Sequence, residues 1–125
     1  MAEHLSAPWF DEMAAAAAQA EVPDGVDVVL QQVVVDDDGR EVAYALRVRA
    51  GRVEVLQGRA PDADVTFTQD LATAAAIAQG SLSAQAAFLA GRLRIGGDLH
   101  RFAEAAASLS ALDDLFGPVR AATRF

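Results

Sequence analysis

The side chains able to do chemistry are few and widely spaced. Histidine occurs only at His4 and His100, and cysteine is absent. A nucleophilic site needs a nucleophile, a base within hydrogen-bond reach and a group that orients the base. Asp98 is two residues from His100, and positions two apart on a helix do not face each other. A solvated or locally bonded imidazole is therefore expected there, and His4 stands in a terminus expected to fray. Two distant His without Cys make a poor zinc set. Asp36-Asp37-Asp38 precede Gly39 and read as a hairpin turn, because no Asp-x-Asp-x-Asp-Gly loop with a Glu twelfth ligand is present. The run Gly91-Arg92-Leu93-Arg94-Ile95-Gly96-Gly97 lacks the Gly-Lys-Ser/Thr ending of a phosphate loop. Its glycines suit a helix stop and a tight bend. Gln85 can bond the backbone between Gly80 and Ser83 or meet a ligand headgroup. The first is favoured, since most side-chain hydrogen bonds go to backbone or water. No metal, no cofactor and no catalytic group is expected.

Composition narrows the classes further. The 125 residues carry a formal net charge of −8, and all ten basic residues are Arg. Nucleic-acid binding requires a cationic surface that replaces condensed counterions, and anionic lipid surfaces repel the same charge. Neither partner is expected. The missing Lys and abundant Ala, Val and Arg fit coding bias in a GC-rich genome. No apolar run approaches the roughly 20 residues that span a bilayer, so stable membrane insertion is not expected. The N-terminus lacks the basic and apolar regions of a signal peptide, and a cytoplasmic location is the expectation. The absence of Cys removes disulfides and thiol catalysis without fixing the redox compartment.

The elements that must position any site follow from periodicity. Ser6 caps and Pro8 opens a helix over 7–21 with Trp9, Met13, Ala16 and Ala20 on one stripe. Val-rich 26–35 has apolar residues on both faces, which suits a central strand. Strands over 41–49 and 52–57 alternate, and Arg and Glu are expected to pair across them. The strand 64–68 leads into a helix over 69–79, with Thr68 as its cap and Asp70 in its first turn. Gly80 stops that helix. A short helix over 84–90, a strand over 92–96 and a helix over 98–116 follow. Strands first and helices later make one α+β domain over 1–125, its helices on one face of a largely antiparallel sheet.

The segment from Asp64 to Phe102 carries a more specific signal. Gly80, Ser83, Gln85, Phe88-Leu89, Gly91-Arg92-Leu93, Ile95 and Gly97-Asp98 stand in the order of a pattern that resembles the C-terminal half of the sterol-carrier-protein-2 (SCP2) domain. The resemblance covers about a third of the chain; Arg92 stands where that family commonly has Lys. It implies a five-stranded sheet covered by helices around a hydrophobic tunnel, and no catalysis. The implied partner is a hydrophobic small molecule: a fatty acid, acyl-CoA, sterol or phospholipid.

Periodicity alone assigns Phe67, Leu71, Ile77, Phe88, Leu89, Leu93, Ile95, Phe102 and Leu109 to a core. The resemblance implies that they line the tunnel, and Ala-padded helices leave room for one. The tail residues Leu112, Leu115, Phe116, Val119 and Phe125 could form a lid or an ordinary packed terminus. The rival readings are a binder of another apolar molecule and an interaction module, as monomer or homodimer. A small enzyme is the weakest.

Overall fold

The computed structural model describes residues 2–22, 25–104 and 117–125. The described chain runs β1 (Ala2–Glu3), α1 (Ala7–Ala17), β2 (Val28–Val35), β3 (Glu41–Arg49), β4 (Arg52–Gln57), β5 (Val65–Asp70), α2 (Leu71–Ala78), α3 (Ala84–Leu89) and β6 (Leu93–Gly97). Helical residues 99–104 open α4. The chain closes with α5 (Gly117–Ala121) and β7 (Thr123–Arg124). The expected continuation of α4 to 116 lies outside the described residues.

Five strands form one sheet in the order β4-β3-β2-β5-β6. The Val-rich strand lies in the middle, as its two apolar faces require. The sheet is mostly antiparallel; only β2 and β5 run parallel, with Leu30 opposite Val65 and Val34 opposite Gln69. Pairing carries Val28, Leu30, Val48, Val65 and Phe67 to one face. They pack there with Ala17 of α1, Ile77 of α2, Ala87 of α3 and Phe102 of α4. A second apolar cluster joins Trp9, Phe10 and Met13 of α1 to Val119 of α5, with Val42 and Tyr44 against it. The fold is thus α+β with its helices on one face.

Local chemistry sets the element ends, and some differ from the sequence-based reading. Helix α1 stops at Ala17 rather than 21. Beyond it, Gln19 and Ala20 donate to the carbonyls of Ala16 and Ala17 in tighter, three-residue steps. Strand β5 continues to Asp70 because Gln69 pairs with Leu93. Thr68 is therefore a strand residue, and Asp70 is the cap: its carboxylate accepts from the Thr73 N–H at 2.7 Å. Hydrogen bonding from Thr73, its side chain first and its N–H second, holds the Asp70 carboxyl below its usual range. On the wet face, Arg47 sits opposite Glu54 but makes two 2.9 Å bonds to Asp62 instead. Both bonds come from one nitrogen, Nη2, which reaches the two oxygens of that carboxylate. Those bonds lower the Asp62 pKa. In the Asp36–Gly39 turn, the Asp36 carboxylate accepts from the Asp38 and Arg40 N–H groups at 3.0 and 2.9 Å. These acids organise a turn, and no group of three or more metal-ligating side chains occurs among the described residues.

The glycine-rich bend is held by Asp64. Its carbonyl accepts from the Asp98 N–H at 2.7 Å. One carboxylate oxygen accepts from Val29 N–H at 2.7 Å, and the other meets Arg101 at 3.0 Å. Gly97 has φ of +100° and lies against the Asp64 carbonyl, where a Cβ would collide. Asp98 in turn accepts from the Arg101 N–H at 3.0 Å, capping α4 as its sequence position predicts. No helix among the described residues is long and apolar enough to cross a membrane.

Candidate ligand cavity

A cavity of about 190 Å³ opens between the sheet and the covering helices. Its floor is sheet: Gln32 of β2, Tyr44 of β3 and Gln69 of β5. Its walls are Trp9 and Met13 of α1 and Ala74, Ile77 and Ala78 of α2. The C-terminal segment closes it with Val119, Arg120, Thr123 and Phe125, and His4 adds the last wall. The small alanines of α2 leave space that larger side chains would fill.

The wall is mainly apolar with a few placed polar groups. The Gln69 side-chain amide donates to the Gln32 side-chain oxygen at 2.6 Å. Burial pushes the Tyr44 hydroxyl up to about 12. The Trp9 ring meets Tyr44 and His4 edge-on, at centroid distances of 5.6 and 5.1 Å. His4 also lies 4.9 Å from the Phe125 ring.

His4 is therefore packed rather than frayed, which corrects the expectation for that terminus. The cause is a two-residue parallel pairing: Ala2 lies opposite Thr123 and Glu3 opposite Arg124. The His4 N–H donates to the Arg124 carbonyl at 2.9 Å. Burial lowers the His4 pKa, and its Nδ1 is enclosed with no hydrogen-bond partner among the described residues. A two-residue strand has no periodicity to read, so nothing local in the sequence signals this clasp.

Of the residues expected along a tunnel, Ile77 lines the cavity. Phe67 and Leu93 are buried in the neighbouring core, with Ile95 and Phe102 packed on it. The Phe67 and Phe102 rings meet edge-on at 5.4 Å. Leu71 is half-buried at the start of α2. Phe88 and Leu89 are 50% and 76% exposed. Leu109 lies outside the described residues, as do Leu112, Leu115 and Phe116 of the suggested lid. Val119 and Phe125 of that lid do line the cavity. Gln85 is exposed, and His100 is an exposed residue 3.0 Å from Glu104 one turn on. Trp9, Met13, Gln32 and Tyr44 were legible as core stripe or strand residues only, and Gln69 was read as the first residue of a helix. A polar Gln32 on an inward position of Val-rich β2 was the available signal.

The comparisons agree with this architecture. The sequence model of the SCP-2 sterol transfer family matches residues 11–110. No curated protein matches significantly. Among solved structures, a crystal structure of sterol carrier protein 2 is 22% identical with a TM-score of 0.68, covering 94% of this chain and 98% of that one. The palmitated SCP2L2 of Aedes aegypti, solved by NMR, is 26% identical with a TM-score of 0.59, over 86% of this chain and 94% of that one. The stereoselective inverting sec-alkylsulfatase Pisa1 of Pseudomonas sp. is 27% identical with a TM-score of 0.51; the match covers 77% of this chain but 15% of the sulfatase. With the matched region spanning the sheet, its helices and the glycine-rich bend, the chain belongs to the SCP-2 sterol transfer family.

Proposed function

We propose that this protein is a non-catalytic carrier that shelters an apolar small molecule in the cavity beneath α1, α2 and the C-terminal segment. Candidate cargoes are a fatty acid, acyl-CoA, sterol or phospholipid. The observation that carries the reading is the cavity itself, open between sheet and helices and walled by Trp9, Met13, Ile77 and Val119. Transfer of an acyl chain from water contributes about 0.8 kcal/mol per buried methylene, so desolvation alone holds such a cargo. The family membership and the palmitated relative support the same reading. Phe67, Leu93, Ile95 and Phe102 form the packed base beside the cavity, and Ile77 joins the two. The reading holds for a monomer and a homodimer alike.

The protein has one tryptophan, and it lines the cavity. Titration with long-chain amphiphiles should change Trp9 emission saturably, and native mass spectrometry should show one bound molecule. Ala74→Leu, which places a larger side chain in the cavity, should weaken uptake at least several-fold while the fold persists by circular dichroism. Unaltered uptake in folded Ala74→Leu would move the cargo elsewhere. No uptake by the unmodified protein would end the carrier reading.

A further inference from the structure

We propose that the pairing of β1 with β7 over the cavity is an acid-opened clasp, with His4 as the group whose protonation parts the two strands and frees the cargo. The proposal rests on the carrier reading and adds a control to it. The clasp is slight. It consists of two residue pairs, Ala2 with Thr123 and Glu3 with Arg124, and the 2.9 Å bond from the His4 N–H to the Arg124 carbonyl. The His4 ring packs on Trp9 and Phe125, at centroid distances of 5.1 and 4.9 Å, and lines the cavity with them. Its Nδ1 is enclosed with no hydrogen-bond partner among the described residues. A neutral imidazole can leave that nitrogen as a bare lone pair. An imidazolium carries an N–H on both nitrogens. Protonation would therefore enclose a charged donor with nothing to receive it, which costs far more than an unmet neutral group.

The surroundings offer no compensation. Among the described residues no carboxylate forms an ion pair with His4. Glu3 of β1 and Asp11 of α1 are exposed, and Glu3 and Glu12 line a separate hollow with Ala2, Ser6 and Pro8. From β3, Tyr44 shares the cavity wall and stays neutral through the acid range. From the C-terminal segment, Arg120 shares the wall as a like charge, and Arg124 is exposed. Burial accordingly lowers the His4 pKa. Once the clasp opens, the ring meets water and titrates near its ordinary 6.5. Acid therefore favours the open form. Proton uptake by a free imidazole limits the gain in opening to about tenfold between pH 7.5 and pH 5.5. Phe125, one residue beyond β7, leaves the cavity wall when that strand departs.

Decanol is the probe, because it has no charge of its own to titrate. Its release from the full chain into excess neutral phosphatidylcholine vesicles is followed by stopped-flow Trp9 emission, and the His4 ring is titrated by NMR in the empty protein. Release should be about three- to tenfold faster at pH 5.5 than at pH 7.5. His4→Phe keeps an aromatic ring and His4→Gln a polar side chain, and neither titrates in this range; each should release at one rate at both pH values. His100→Gln, which removes the only other imidazole, should keep the acid response. The His4 ring should titrate below 6.5, and lower still with decanol bound. Equal release at the two pH values, an acid response that survives in both His4 variants, or a His4 ring titrating at or above 6.5 would overturn the clasp and leave the carrier standing. Decanol that does not bind at pH 7.5 would remove the carrier, and the ring titration in the empty protein would then decide the clasp by itself.

Discussion

Two single residues test the local physics most directly. Gly97 combines a positive φ with a backbone approach to Asp64 that leaves no room for a Cβ. Gly97→Ala adds a left-handed backbone strain of about 1–2 kcal/mol to an overpacking cost of about 1–3 kcal/mol. Urea unfolding should therefore show a loss of about 2–5 kcal/mol, whereas Gly96→Ala, with open space at its Cβ, should cost far less. His4 tests the clasp at the cavity mouth. Its pKa in the native state lies below the ordinary 6.5 because burial disfavours the charged ring. As pH falls through 6.5 the unfolded chain takes up a proton that the native protein refuses, so native stability declines toward the lowered native pKa. Melting temperature should fall between pH 7 and pH 5, and His4→Gln should flatten that slope. An equal slope in the variant would place the titration elsewhere.

At the scale of elements, turns and caps decide where strands and helices begin. Strands β3 and β4 are joined by Ala50 and Gly51, both left-handed, with φ of +53° and +77°. This is the primed geometry that matches the twist of a two-residue hairpin, and it favours Asn-Gly over Ala-Gly. Ala50→Asn should raise stability by about 0.5–1 kcal/mol, seen as a higher urea midpoint with an unchanged slope. A lower midpoint would mean that the turn is shaped by contacts beyond itself. Asp70 is the matching test for α2. Asp70→Ala removes the acceptor of the Thr73 N–H and should cost about 0.5–2 kcal/mol. The loss should shrink as pH falls below 3.8, where protonation of the carboxyl weakens the cap in the unmodified protein too.

The whole molecule is closed by its two ends. Strands β1 and β7 pair across the cavity mouth, Val119 is buried against α1, and Phe125 stacks near His4. These contacts join residues more than a hundred positions apart, so the cavity is complete only after the ends of the chain meet. Deleting residues 118–125 should speed release of a bound amphiphile, measured by stopped-flow Trp9 emission. The truncated protein should keep its sheet, whose pairing involves none of those residues. Unchanged release from a folded truncation would make the tail an ordinary terminus.

What the sequence determined by itself is the class of fold and most of its elements. Alternation, helical stripes and turn residues act over a few positions, and they are enough to define β3, β4 and α3 and to put Val-rich β2 at the centre. The pattern from Gly80 to Asp98 carried the family resemblance, because its glycines, caps and apolar pairs mark the ends of α2, α3 and β6. The tertiary structure decided where space remains. Phe67 and Phe102, core by periodicity and tunnel wall by resemblance, meet each other in the core. Trp9, Gln32, Tyr44 and Gln69 surround the opening instead. The physical reason is that a void belongs to no residue: it is the volume left where α1, α2, the sheet and the C-terminal segment fail to touch, and local periodicity says only which way each side chain points.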